Sequence, residues 1–295
     1  MVAAPSPDFA AKAAAENFPV AGWFIAPALR PAVASYYAFA RAADDIADGT
    51  DRTVIQKLKA LDDMEASIPQ GLGPILQKHN VPLTTATDLL TAFRADARGT
   101  PTRTLADLMA YCRHSAAPVG RFLLSLHGET AGQSESDALC AALQILNHVQ
   151  DARADIETLK RCYIPLDWLA AEGVALMDLL DPDNASRPPP GVEPLRDDYA
   201  HASPAPTQAP DPAKITRCLQ RLLDQAEHLL VLAAPLPRAV NSRGLAAQSA
   251  AILCLAQRLL ARLRKHDTWA LRVRLTPLDW LMAACVGLRV RVLGP

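Results

Sequence analysis

The sequence predicts an all-α fold in a single domain, and three observations carry that expectation. Half of the 295 residues are apolar, chiefly Ala and Leu, with 13 Gly and 5% aromatic residues. That mix favours helix, since strong helix formers dominate and β-branched residues are sparse. Apolar residues recur at helical spacing along most of the chain, no alternating run is strong enough to build a sheet, and no internal repeat appears. One domain spanning 1–295 is the simplest reading.

The elements follow in order. Arg30–Asp48 has Pro31 in its first turn and stops at Gly49, a normal helix start and stop. Thr53–Ile68 and Thr85–Arg98 are amphipathic, and Leu105–Leu126 is a longer helical stretch interrupted at Pro118. Asp137–Leu159 comes next, then a short helix after Pro165. Pro182–Pro212 holds nine prolines and cannot be a regular helix; it reads as a loop or surface excursion. Ala213–Ala234 and Asn241–His266 resume the helical pattern. Thr276–Pro295 is apolar with Arg289 and Arg291, which fits either a packed terminal helix or a surface anchor toward a membrane.

Composition excludes several classes of function. A net charge of −1 gives no global case for nucleic-acid binding. From Gln257 to Pro295, however, eight Arg and Lys face only Asp267 and Asp279, so this end complements an acidic cluster near residue 45. Cys112, Cys140, Cys162, Cys218, Cys254 and Cys285 form no CxxC pair, which predicts free thiols and no zinc site. The N-terminus lacks the basic start and long apolar core of a signal peptide, and no run nears the roughly 18 apolar residues of a membrane span. The expectation is a soluble, cytoplasmic protein.

Two acidic stripes carry the chemistry. Each helical residue advances about 100°, so positions three, four, seven and eleven apart share a face. In the first helix Tyr37, Arg41, Asp44 and Asp48 keep that spacing; Asp45 lies off the line and reads as a surface residue. Gln144, Asn147, Asp151 and Asp155 keep it in the later helix, among Leu143, Ile145, Leu146 and Val149. A lone DxxxD is usually a solvated helix face. Two of them, each aligned with polar partners in apolar company, can face one another across a helical bundle. Carboxylates buried there need partners. Mg²⁺ suits them, being a hard cation typically held by one or two carboxylates plus substrate phosphates. A cluster of Mg²⁺ ions between the stripes would hold a diphosphate leaving group, and Arg41 would add donors for its oxygens.

The strings YAFARAADDIAD, YCRHSAAPVGR (Tyr111–Arg121) and LNHVQDARADIETLKRCYIP (Leu146–Pro165) resemble the squalene/phytoene synthase family. The resemblance runs from ENFPV at Glu16 to the Arg-rich C-terminal segment. Within the family it leans to one branch, the bacterial hydroxysqualene synthases of hopanoid biosynthesis, through ENFPV, SAAPVGR, NHVQD and APLPRAV.

It implies an isoprenoid synthase bundle around a central cavity, with presqualene diphosphate as substrate and hydroxysqualene as product. Metal-assisted loss of diphosphate, a cyclopropylcarbinyl rearrangement and capture by water are the implied steps, without NADPH. Asp44, Asp48, Asp151 and Asp155 are the implied Mg²⁺ ligands. Tyr37 and Arg41 would touch the diphosphate, and Gln144 and Asn147 would line the cavity. Arg161 and Tyr163 match the Arg and Tyr before the family's Pro, and Arg272 matches a C-terminal phosphate-binding Arg after a gap. Upstream and downstream squalene-pathway enzymes, and the inner membrane surface, are the implied partners. A head-to-head squalene or phytoene synthase, and a non-catalytic isoprenoid-binding partner of another synthase, are the alternatives.

Departures from the family pattern stand at Ala256, where a tyrosine is usual, and at Lys160, Cys162 and Arg153. Arg153 points about 160° from the stripe and should lie at the surface or in an ion pair. Ala116 and Gly120 fit close helix packing and would also leave room for a hydrocarbon chain. His114, His127 and His148 have no partner at ligand spacing and read as structural, although His148 neighbours the stripe and could orient water. Ser115 lacks a His/Asp relay, and there is neither a GxGxxG after a strand nor a P-loop.

Overall fold

A computed structural model describes residues 24–180 and 211–295. The ENFPV string and nearly all of Pro182–Pro212 lie outside the described residues. A 3-10 turn, Pro27–Leu29, leads into α1 (Arg30–Asp48), followed by α2 (Val54–Ser67), α3 (Gly73–Lys78) and α4 (Thr84–Arg98). The middle of the chain forms α5 (Leu105–Ser115), α6 (Ala117–Leu126) and α7 (Gln133–Ala154), which continues as a π-helical turn, Asp155–Leu159. Then come α8 (Leu166–Ala171), α9 (Leu176–Leu180), α10 (Pro212–Ala233), α11 (Leu236–Ala239), α12 (Arg243–Lys265) and α13 (Pro277–Leu293). No strand occurs among the described residues, as the composition predicts.

Local chemistry sets these boundaries. Thr53 with Gln56, Thr104 with Asp107 and Thr276 with Asp279 form capping boxes at α2, α5 and α13. Each such cap is worth about 1 kcal/mol by satisfying amides the helix leaves open. Gly132, at φ +82°, takes the left-handed conformation that starts α7 four residues before the expected Asp137. The long stretch Leu105–Leu126 breaks completely at Ala116, where φ is −120°. Pro118 therefore falls in the first turn of α6, where its missing N–H costs no helical hydrogen bond. The short helices α3, α9 and α11, of six, five and four residues, were not expected from the sequence. Such lengths hold too few turns to show a period.

Two apolar cores result. Residues of α1, α2, α4 and α6 make the first, where Tyr36 stacks on Phe122 at 4.0 Å between ring centroids. The Tyr36 hydroxyl donates to the Thr85 carbonyl at 2.7 Å, so its polar atom is satisfied inside that core. Residues of α7, α10 and α12, among them Leu146, Leu222 and Leu259, centre the second and larger core. Leu123 of α6 packs against both. The acidic ends of α1 and α7 thus come from opposite cores and meet where the two join.

All six cysteines are free. Arg153 is exposed and bonds Glu157 at 2.6 Å, the ion-pair placement its angle predicts.

Candidate functional site

Carboxylates at a helix C-terminus face unpaired carbonyls, so the end of α1 needs cations. It has them. Arg161 Nη1 lies 2.5 Å from Asp48 Oδ1, its Nη2 donates to the Ala47 carbonyl at 2.9 Å, and Lys57 Nζ donates to the same carbonyl at 2.8 Å. Arg41 pairs with Asp44 at 2.9 Å and with Asp45 at 3.2 Å. Asp45 is the more exposed of these two acids, in keeping with its place off the stripe. Tyr37 lies half-buried one turn before Arg41.

At the end of α7, Arg272 grips Asp151 with two contacts, Nε to Oδ1 at 2.5 Å and Nη2 to Oδ2 at 3.0 Å. The adjacent Gln150 donates to the Val273 carbonyl, which ties the segment after α12 to this helix end. Sequence spacing left Arg272 dependent on a gap; the fold brings it to the second acidic stripe. Asp155 begins the π-helical turn and is half-buried. Lys160 follows that turn at φ +55°, a left-handed residue that turns the chain back so that Arg161 and Tyr163 return to the site.

Electrostatics shows that the two stripes form one group. Burial pushes the Asp44 carboxyl up to about 7; Asp48 adds to the rise, while Arg41 opposes it. Burial also pushes Asp155 up to about 7, with Asp151 and Asp48 adding and Arg161 opposing. Asp48 of α1 therefore raises acids on both helices. Burial disfavours the Arg161 charge, yet Asp96, Tyr163 and Asp48 outweigh it and leave the guanidinium more firmly protonated than usual.

Asp96 of α4 is a fifth acid that spacing did not single out. Its Oδ2 accepts from the Tyr111 hydroxyl at 2.9 Å and its Oδ1 from the Tyr163 hydroxyl at 2.9 Å. Burial raises its pKa against the opposing pull of Arg161. A signal was available, because Asp96 falls seven residues after the buried Leu89 and three after Phe93, on the apolar stripe of its own helix. Beside it, the His148 ring stacks on Tyr163 at 3.7 Å and lies 5.8 Å from the Tyr111 ring. Burial brings His148 down to about 3, so the imidazole is neutral near pH 7. Gln144 places its amide nitrogen 3.1 Å from His148 Nε2.

Asn147 is half-buried on the same helix, and Ala116 is buried at the break between α5 and α6. Gly120 belongs to a helix contact. A Cβ there would lie 2.3 Å from Ser136 Oγ and 2.8 Å from Cys140 Sγ, so α6 presses directly on α7 at this point.

Among the described residues, no three His, Cys, Asp or Glu side chains group as a ready-made metal cage. The donor set nonetheless fits Mg²⁺, which typically takes one or two carboxylates and completes its shell with water and phosphate oxygens. Asp44 and Asp155 resist ionisation chiefly because they are taken out of water, and neighbouring carboxylates add to the effect. A divalent cation placed among them would offset that charge, and Arg41, Arg161 and Arg272 already supply donors to Asp44, Asp48 and Asp151.

The family model described as squalene/phytoene synthase matches residues 11–280. A hydroxysqualene synthase of Rhodopseudomonas palustris is 36% identical, over 91% of this chain and 86% of the relative. One from Sinorhizobium fredii is 34% identical, over 90% of this chain and 86% of the relative. Among solved structures, a squalene synthase HpnC from Alicyclobacillus acidocaldarius superposes with a TM-score of 0.68 at 28% identity, covering 88% of this chain and 94% of that one. A dehydrosqualene synthase in complex with ligand superposes with a TM-score of 0.67 at 20% identity, covering 95% of each chain, a likeness of fold.

Proposed function

The chain belongs to the squalene/phytoene synthase family, and from that premise we propose that it converts presqualene diphosphate to hydroxysqualene with release of diphosphate. The observation that carries the reading is the meeting of Asp44 and Asp48 with Asp151 and Asp155 across two cores, with an arginine on each of Asp44, Asp48 and Asp151. Similarity to the hydroxysqualene synthases of Rhodopseudomonas palustris and Sinorhizobium fredii favours this branch over a head-to-head squalene or phytoene synthase. A non-catalytic isoprenoid-binding role would leave four aspartates and their arginines unexplained.

On this reading Asp44, Asp48, Asp151 and Asp155 hold Mg²⁺, which when bound supplies Lewis-acid stabilisation of the departing diphosphate. Arg41, Arg161 and Arg272 turn their donors to the phosphate oxygens, and Tyr37 adds a hydroxyl beside Arg41. Gln144 and Asn147 bound the space beneath the second stripe. The neutral His148 ring and the Tyr111 and Tyr163 rings then border the carbocation without adding like charge, and their π faces attract it. No nicotinamide is needed, since the product is an alcohol. Upstream chemistry must supply the cyclopropylcarbinyl diphosphate, and a later enzyme must remove the hydroxyl.

The chain works at a membrane surface on this account, cytoplasmic in location and with α13 as its contact. Leu278, Leu281, Met282, Val286, Leu288, Val292 and Leu293 are all exposed on that one helix, with Arg289 and Arg291 among them. A helix apolar on its outward side and basic suits an anionic lipid interface. The one described helix long and apolar enough to cross a membrane, Arg243–Lys265, is instead a core element, with 67% of its most apolar window buried.

The experiment incubates the protein and Mg²⁺ with presqualene diphosphate and, separately, with farnesyl diphosphate, without NADPH. Conversion of the first to an alcohol is expected. Condensation of the second would replace this reading with a head-to-head synthase.

A further inference from the structure

His148 sits three residues before Asp151 on α7, is 7% exposed, and lies against Tyr163 at stacking distance. Phe or Tyr would stack equally well there, so packing leaves the imidazole nitrogens unexplained. The Gln144 amide nitrogen, 3.1 Å from His148 Nε2, accounts for one of them. With the amide nitrogen turned to the ring, the matching tautomer has Nε2 accepting and Nδ1 carrying the proton. Burial keeps the ring neutral and hence able to accept. With its nitrogen on His148, the Gln144 amide turns its carbonyl oxygen away from the ring. Its carbonyl oxygen meets no protein partner among the described residues, and the side chain is only half-buried.

We propose that the Gln144 carbonyl oxygen, oriented by His148, holds the water that captures the carbocation. The inference deepens the proposed function and rests on its product being an alcohol. The carbon–oxygen bond to diphosphate breaks, with its electron pair leaving on the diphosphate. Water donates a lone pair to the rearranged allylic cation and forms the new carbon–oxygen bond. The resulting oxonium gives one proton to the released diphosphate, the strongest base at that end. Gln144 accepts a hydrogen bond from this water, which directs the lone pair and enriches the oxygen in electron density. His148 does not react; it is a positioning residue that acts through Gln144. Were it replaced by an apolar ring, the amide could turn its N–H groups toward the water and repel the orientation that capture requires.

The test supplies wild type, Gln144→Leu and His148→Phe with presqualene diphosphate and Mg²⁺ in heavy-oxygen water. It reads labelled alcohol formed per diphosphate released. General loss of folding or activity lowers both quantities together and leaves their ratio unmoved. The expected ratio falls about tenfold in each variant, the size of losing one hydrogen bond to a reacting group, with hydrocarbon from proton loss replacing the alcohol. An unchanged ratio in both variants overturns the proposal. If His148→Phe proves unfolded by circular dichroism, Gln144→Leu decides on the same ratio. Absence of alcohol from wild type overturns the functional reading and this one with it. Alcohol from wild type at a ratio the variants share overturns this one alone.

Discussion

Arg161 reaches across 113 positions of sequence to Asp48, bonding its carboxylate at 2.5 Å and the Ala47 carbonyl at 2.9 Å. One guanidinium thereby closes the C-terminal end of α1 and binds the segment after α7 to it. Its side chain is 11% exposed, so this pair is screened far less than an ordinary surface salt bridge. Arg161→Ala should destabilise the protein by about 2–3 kcal/mol, as expected for a partly buried charged hydrogen-bond pair that loses one member. Arg161→Lys keeps the charge but loses the two-pronged geometry and should fall between. Urea unfolding of the three proteins checks the order.

Asp44 and Asp155 are raised to about 7 in the fold from an ordinary value near 3.8. A carboxyl raised on folding contributes stability that is full below its unfolded pKa and is lost as pH rises through its folded pKa. The metal-free protein should therefore lose stability between about pH 4 and pH 7 through these two groups. Asp44→Asn removes one of them. It should raise Tm at pH 8, change it little at pH 4, and abolish turnover. Thermal scans at the two pH values, with and without Mg²⁺, read this directly; a Tm lowered at pH 8 contradicts the account.

Asp279 fixes the start of α13. It is fully buried, completes the α13 capping box with Thr276, and pairs with Arg258 and with Arg262, the latter at 2.7 Å. Burial would raise its pKa, but the hydrogen bonds from Thr276, Arg258 and Arg262 prevail and hold it well below the usual carboxylate range. Its contribution is present above the ordinary carboxylate pKa and is lost as pH falls through its depressed value. Asp279→Ala should cost about 2–3 kcal/mol and loosen α13. Proteolysis within Pro277–Leu293 should accelerate.

The outward face of α13 makes a separate prediction. Leu281→Glu with Leu288→Glu should abolish flotation with anionic liposomes and leave the melting temperature within about 1 °C, since both side chains are exposed. Unchanged flotation would remove the membrane role from this helix.

Gly120→Val should destabilise by about 1–3 kcal/mol, because the added carbons meet Ser136 and Cys140 in a closed contact. Ser136→Ala should recover part of that loss, a coupling measurable by a double-mutant cycle.

Much of this arrangement is legible in the sequence because helical period and carboxylate spacing report the same faces. The 3.6-residue repeat identifies α1, α7, α10 and α12, and i, i+4, i+7 spacing separates Asp44 and Asp48 from Asp45. What spacing cannot supply is contact between distant segments. Asp96 looks like a stray acid on α4 until Tyr111 and Tyr163 close over it. Arg272 needs the fold to reach Asp151, and the break at Ala116 depends on backbone torsion rather than on Pro118 itself. His148 reads as structural from spacing, because its link to Gln144 lies within one helix and its stack on Tyr163 does not.

The central claim is that two acidic helix ends from separate cores act as one metal-dependent diphosphate clamp. Calorimetric titration of the protein with inorganic diphosphate, with and without Mg²⁺, tests it most directly. Binding should require Mg²⁺ and should be lost in Asp44→Asn and in Asp155→Asn alike. Binding of equal strength without Mg²⁺, or loss in only one of the two variants, would contradict it.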